Sequence, residues 1–206
     1  MIKCSVTVDV VVFTILDRRL NLLLIKRLAK PFRGRYALPG GFILEDESTD
    51  DAAIRELREE TGVRDVYLEQ LYTFGAPKRD PRGRVITVAY CALIPPEQEL
   101  KSSTDASDAA WFAVDDLPSL AFDHAEIVEC ARTRLRNKLA YTNVGFELLP
   151  ARFTLTELQS VHEAILGWPL DKRNFRRQIL HSETLQPLQS WRQTGRKPAR
   201  LYRFKQ

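Results

Sequence analysis

GFILEDESTDDAAIRELREETGV, running from Gly41 to Val63, is the stretch from which the rest of the chain is read. Residues 49 to 60 are predicted to be a helix. Thr49 is placed to cap it, Asp50 and Asp51 fall in the first turn where the helix dipole favours anions, and Gly62 stands just past the end. At about 100° per residue, Glu56, Glu59 and Glu60 share an arc of roughly 100°, with Ile54 and Leu57 beside it expected to face inward. Like charges so close repel by roughly 0.2–0.5 kcal/mol per pair, and a fold accepts them most readily around a cation. Every ligand on offer is a carboxylate, so the cation expected is hard and oxygen-seeking, Mg²⁺ or Mn²⁺. Pro39, Gly40 and Gly41 bring backbone close to that cluster, because glycine has no Cβ to obstruct it.

Upstream, residues 3 to 26 contain two apolar strand-like runs, SVTVDVVVFTIL and LNLLLIK, around Asp17-Arg18-Arg19, the pattern of a hairpin. The basic loop RLAKPFRGR, Arg27 to Arg35, then leads into the glycines, and its cations are placed to meet phosphates beside the carboxylate cluster. Downstream, DVYLEQLYTFG and RVITVAYCALI are two further strands. The Pro- and Gly-bearing loop from Ala76 to Gly83 joins them. Arg35 and Arg79, with Gly40, are the candidate substrate contacts. A polar segment, EQELKSSTDASD, follows Pro95-Pro96; Asp105 and Asp108 are its only acids between Lys101 and Trp111. AFDHAEIVECARTRLRNKL reads as a helix. Asp123 and Glu126 have the spacing of a capping box, Ile127, Val128, Ala131 and Leu135 share one face, and His124 is expected at the surface or in packing.

The C-terminal segment differs in charge. Residues 150–206 hold 11 Lys/Arg against four acids, a balance of +7, whereas residues 1–149 hold 20 against 23, a balance of −3. An acidic body with a basic tail suggests two tasks and an anionic partner, nucleic acid foremost. Thr154 to Glu157 spells a capping box, and Leu155, Leu158, Val161, Ile165 and Leu166 stripe the helix that it starts. Gly167-Trp168-Pro169 ends that helix and Asp171 can cap the next. There Phe175 and Ile179 point one way, Arg173, Asn174 and Arg177 the other, and Arg176 lies on the flank. LQPLQSWRQ and PARLYRF bracket Thr194-Gly195-Arg196-Lys197, a hairpin with a basic tip. Two short helices and a wing make a DNA-binding candidate, with Arg196 and Lys197 as wing contacts; a helical appendage serving dimerisation is the alternative.

At 206 residues, 44% hydrophobic and 28% charged, the composition is that of an ordinary globular protein. No apolar run approaches membrane-spanning length, and Asp9 interrupts the early apolar stretch that a secretory signal would need. Cys4, Cys91 and Cys130 are odd in number and widely spaced. They are expected as small buried hydrophobes in a reducing cytoplasm.

Gly41 to Val63 resembles the Nudix box in full. The resemblance implies Glu56, Glu59 and Glu60 as metal ligands, a carbonyl lent by Gly40 or Gly41, and a Glu47–Arg55 pair bracing loop against helix. The run YTFGAPKRDPRGRVITVAY, with Pro77 about fifteen residues past the box, looks like the ADP-ribose hydrolase branch. That branch implies AMP and ribose 5-phosphate as products. It also implies a general base on a late loop, where Asp105 and Asp108 are candidates and Glu59 their rival within the box. The tail, with FDHAEI, LLPARFTLTELQ, LDKRNFRRQI and GRKPARLYRF, looks like the NrtR family of Nudix-related transcriptional regulators, in which a Nudix domain senses ADP-ribose and a winged helix binds operators of NAD-metabolism genes. Many such regulators have eroded boxes; this chain keeps every box carboxylate.

The expected architecture is α/β: a Nudix α/β/α sandwich with mixed sheet over residues 1–121, a connector helix over 122–140, and a winged helix-turn-helix domain over 141–206. The expected function is that of an ADP-ribose-responsive, DNA-binding regulator retaining Mg²⁺-dependent hydrolysis, homodimeric and cytoplasmic, at the nucleoid when DNA-bound, with no membrane partner. The alternatives are a plain ADP-ribose pyrophosphatase with a dimerising tail, and a non-catalytic ADP-ribose sensor-repressor.

Overall fold

The hairpin around Asp17 is set by its local sequence. Strands β1 (Ser5–Leu16) and β2 (Arg19–Lys26) pair antiparallel with Leu16 opposite Arg19. That leaves Asp17 and Arg18 as a two-residue turn, both with positive φ (49° and 61°), the geometry whose twist matches a hairpin. The computed structural model describes residues 3–64, 66–97, 109–194 and 197–205. Along β1, Val8, Val10 and Val12 face one side of the sheet and Val11 and Phe13 the other, all fully buried. A strand covered on both faces reads as an unbroken apolar run, as this one does.

The sheet is mixed. β1 pairs parallel with β6 (Val85–Leu93), which pairs antiparallel with β5 (Tyr67–Phe74). β2 carries β3 (Tyr36–Ala37) and β7 (Ala110–Ala113). β4 (Gly40–Phe42) shares an edge of β1 with β2: Asp9 opposes Gly40 and Val8 opposes Gly41. This shared edge sets the glycines beside an acid drawn from far up the chain.

One helix covers each face. On one, α1 (Thr49–Thr61) buries Ala52, Ala53 and Leu57 against Val8, Val10 and Tyr90. Its cap is Ser48, whose hydroxyl accepts from the Asp51 amide; Thr49, expected there, instead reaches the Tyr90 hydroxyl at 2.8 Å. Gly62 ends the helix with φ 74°. Ile54 was expected to face inward and is 55% exposed, because the apolar face of α1 is narrow and Ala52, Ala53 and Leu57 fill it. On the opposite face, α2 (His124–Lys138) buries Ile127, Val128, Ala131 and Leu135. Of the cysteines, Cys91 is buried and Cys130 half-buried, while Cys4 is exposed, at the strand end before the sheet closes over it.

The core does not stop at α2. Its apolar face shares one cluster with Val11 and Phe13 of β1, with Leu148 of a 3₁₀ turn (Val144–Leu148), and with Leu158, Val161 and Ile165 of α3 (Leu155–Leu166). Thr154 caps α3 with the reciprocal Glu157 bond of a capping box, and Gly167 ends it at φ 86°. Leu166, at the end of the expected stripe, is half-buried. Asp171 caps α4 (Lys172–His181), accepting from the Asn174 amide at 2.8 Å. Strands β8 (Leu185–Thr194) and β9 (Lys197–Phe204) form the terminal hairpin, and a bridge from Phe153 to Tyr202 fastens it to the start of α3. Among the described residues no helix is long and apolar enough to cross a membrane.

Candidate active site and nucleic-acid interface

Arg55 is the hub of the box. Its Nε and Nη2 donate to the two Glu47 oxygens at 2.7 and 2.9 Å, Nη2 also donates to the Phe42 carbonyl at 3.2 Å, and Nη1 reaches Glu56 at 2.7 Å and Glu59 at 3.3 Å. The hydrogen-bonded Arg55 guanidinium holds the Glu47 carboxyl below the usual range. These bonds tie the loop before α1 to the helix, and they make the Glu47–Arg55 pair a brace.

Glu56 and Glu60 flank the glycines. A Cβ on Gly41 would sit 2.1 Å from a Glu56 oxygen, and Glu60 accepts from the Gly40 amide at 2.8 Å. Burial lifts the Glu56 carboxyl above its ordinary value despite Arg55. Burial, opposed by the Gly40 amide and reinforced by Glu56 and Asp9, pushes Glu60 up to about 8. Two half-buried acids that resist ionisation side by side are a donor set that a hard cation would relieve. As the side chains stand, among the described residues no three His, Cys, Asp or Glu groups converge at ligand distance, since Arg55 engages Glu56 and Glu59. The donor chemistry fits a divalent metal once those carboxylates turn from Arg55.

Beside the glycines lies a cleft of about 110 Å³ into which three arginines, Arg27, Arg79 and Arg82, converge. Arg79 lines it but is almost wholly buried, with Nε and Nη2 donating to Asp123 at 2.8 and 2.7 Å and Nη2 also to Asp9 at 3.4 Å. Arg35, the other expected cation, is exposed over the Phe32 ring at 5.5 Å and does not line the cleft. Arg27 and Arg82 take that place. Arg27 lies 4.8 Å from the Phe122 ring centre; Arg82 lies 5.0 and 5.4 Å from Phe42 and Phe122 and pairs with Asp80 at 2.6 Å. Phe122 keeps this position with φ 53°, a costly conformation for a bulky residue. Burial and the nearby Arg82 lower the pKa of Arg27.

The floor of the cleft holds residues that sequence reasoning left out. His124 is buried: its Nδ1 accepts from the Leu38 amide at 2.9 Å and its Nε2 faces Asp9 at 3.4 Å, while burial lowers its pKa. Among the described residues, Thr7 Oγ1 is buried there with no hydrogen-bond partner. The available signal was Asp9 itself, a lone acid inside an apolar strand. Asp105 and Asp108 lie outside the described residues. A roomier cavity, about 770 Å³, lies elsewhere, between the α2–α3 connection and α4, and holds none of the box residues.

In the C-terminal domain, Phe175 packs edge-on to His162 at 5.1 Å and turns the other face of α4 outward. Arg173, Asn174 and Arg177 are exposed, with Arg177 donating to Asn174 at 3.1 Å. Arg176 is half-buried and donates to Thr156 of α3 at 3.2 Å, so it braces the two helices. Lys197 is exposed at the wing; Arg196 lies outside the described residues. Arg192 pairs with Glu157 at 2.6 Å and ties the wing to the capping box of α3.

Comparison with known proteins agrees with both halves of this arrangement. The NUDIX domain family matches residues 6–130, and the NrtR DNA-binding winged helix domain matches residues 145–204. The chain is 39% identical over 202 residues to the ADPR responsive transcriptional repressor NtrR of Acinetobacter baylyi, covering 96% of this chain and 81% of that protein. It is 42% identical over 115 residues to the ADP-ribose pyrophosphatase of Methanocaldococcus jannaschii, covering 56% and 68%. The crystal structure of Shewanella oneidensis NrtR complexed with a 27mer DNA superposes with a TM-score of 0.88 at 41% identity, covering 97% of this chain and 93% of that one.

Proposed function

The chain belongs to the NUDIX family and carries an NrtR winged helix domain, and from that premise we propose an ADP-ribose-responsive, DNA-binding regulator that also hydrolyses ADP-ribose. The observation that carries the reading is one of placement. A braced, complete box and a cleft of arginines occupy one end of a chain whose other end presents a basic helix face. Glu56, Glu59 and Glu60, with the Gly41 carbonyl, are the residues that would hold Mg²⁺ or Mn²⁺. Such an ion supplies charge neutralisation on a diphosphate and a water of lowered pKa. Arg27 and Arg82 bind the diphosphate by charge-assisted hydrogen bonds, and the aromatic rings beneath them fix where the guanidinium planes lie. The Glu47–Arg55 brace keeps the loop carbonyls and α1 in register. AMP and ribose 5-phosphate are the products.

Arg173, Asn174 and Arg177 serve the major groove, where Arg suits guanine and Asn suits adenine. Lys197 and Arg196 serve the phosphates beside the wing. A homodimer on a two-fold operator follows from this class of docking, and the working compartment is the DNA-containing cytoplasm. The test combines two assays. AMP release from ADP-ribose is expected with Mg²⁺ and is expected to fall by orders of magnitude in EDTA or in Glu60→Gln; a mobility shift on duplex DNA is expected to weaken when ADP-ribose is added. AMP release unchanged by both treatments removes the enzyme, and a chain that shifts no DNA at low salt removes the regulator.

A further inference from the structure

Asp123 and Glu126 stand three residues apart at the start of α2, the spacing of a capping box, yet the Asp123 side chain caps nothing. Both of its oxygens are taken by Arg79, from Nε at 2.8 Å and Nη2 at 2.7 Å. The cap residue accordingly has φ −97° and ψ 20° instead of the extended backbone of a capped helix start. Arg79 also faces the cleft beside the box. One guanidinium therefore stands between two claimants, the carboxylate at the head of α2 and any diphosphate that enters the cleft. Its planar fork suits both equally, since carboxylate and phosphate present the same paired acceptors.

The other end of α2 is fastened to the helix-turn-helix. Arg136 donates from Nε to the Ile165 carbonyl in the last turn of α3 at 3.0 Å, and Leu135 is buried in the cluster that contains Leu158 and Ile165. One helix thus connects Asp123 to the element that orients α4.

We propose that Arg79 is a ligand-gated positioning residue: a diphosphate in the cleft draws its guanidinium away from Asp123, and the freed carboxylate takes the cap of α2 that the sequence spells. Resetting the start of α2 then resets the angle at which α2 presents α3 and α4 to DNA. The inference rests on the ADP-ribose-responsive reading above and names the residues that transmit the response. It meets the energetic condition for a switch, because each arrangement satisfies Asp123: an ion pair in one, the helix amides in the other.

The test measures the coupling factor. The Kd of a methylene-bridged ADP-ribose, which the box cannot cleave, is determined with and without a duplex that the wild-type chain selects from a random pool. Wild type is expected to bind the analogue roughly 5- to 150-fold more weakly with DNA present. Asp123→Ala, which can neither pair nor cap, is expected to bind each ligand singly and to lose that factor. Asp123→Ser, which can cap but cannot hold Arg79, is expected to bind DNA more weakly than wild type before any nucleotide is added. An undiminished factor in Asp123→Ala, or wild-type DNA affinity in Asp123→Ser, overturns the handover and leaves the ADP-ribose-responsive reading standing. A wild-type chain with no factor removes that reading and the inference together. If Asp123→Ala melts below the assay temperature, Asp123→Asn keeps the shape without the charge and is expected to behave as Asp123→Ser does.

Discussion

Gly40 and Gly41 are adjacent and both lack a Cβ for a reason, but the reasons differ. At Gly40 a Cβ would meet the Val8 carbonyl oxygen at 2.2 Å, a backbone atom in the ladder between β1 and β4. At Gly41 it would meet the far end of the Glu56 side chain, which can swing away. Gly40→Ala is therefore expected to destabilise the fold by roughly 1–3 kcal/mol, the usual cost of forcing an atom into packed structure. Gly41→Ala is expected to melt close to wild type. It should nevertheless lose about a hundredfold in AMP release, the order that a ~1 Å misplacement costs at a reacting centre. Chemical denaturation and product assay on the two variants check the split; equal loss of stability in both would remove Glu56 as the mobile partner. The Glu47–Arg55 brace was legible only through the resemblance to the Nudix box, although its members lie just eight residues apart. The Arg79 cluster was not: its partners lie 44 and 70 residues away, and only the shared edge of β1 and the start of α2 bring them together.

Helices α1, α3 and α4 were legible from periodicity and caps, since each rule concerns neighbours within a turn. The misreadings were of the same short range. Ser48 and Thr49 are both good caps and sequence does not rank them, while Asp123 has cap spacing but is claimed by an arginine from another loop. Between α3 and α4 one titratable group has direct consequences for stability. His162 packs against Phe175, and burial pushes its pKa down to about 4. Its ordinary value in an unfolded chain is about 6.5, so between those values the unfolded state binds the proton that the folded state refuses. Stability is then complete above about pH 6.5 and falls as pH drops towards 4, by on the order of 2 kcal/mol after allowing for partial exposure. His162→Gln, which cannot take up that proton, is expected to lose correspondingly less between pH 7 and pH 4.5 in urea titrations. A loss equal to that of wild type would place the acid sensitivity in other groups.

At the scale of the whole molecule one face of the sheet, α2 and α3 share one continuous apolar cluster, while the box helix α1 packs on the other face, and no local pattern in the sequence announces that continuity. A ligand can act through such a core only by binding one arrangement of it more tightly than another, and DNA must then oppose the ligand by the same factor. A complete box adds time to this balance. If the residues that bind ADP-ribose also cleave it, the effector is consumed while it acts, and the signal ends without any further component. A single dose of ADP-ribose with Mg²⁺ is therefore expected to lift the wild-type chain from its duplex and let it return as AMP accumulates. Glu59→Gln, keeping Glu60 on the Gly40 amide and Glu47 on Arg55, is expected to leave the duplex on the same dose and stay off. Fluorescence anisotropy of labelled DNA, followed beside AMP release in both proteins, reads the two courses together. Identical recovery would show that hydrolysis has no part in ending the signal, and no release by either protein would remove ADP-ribose as the effector.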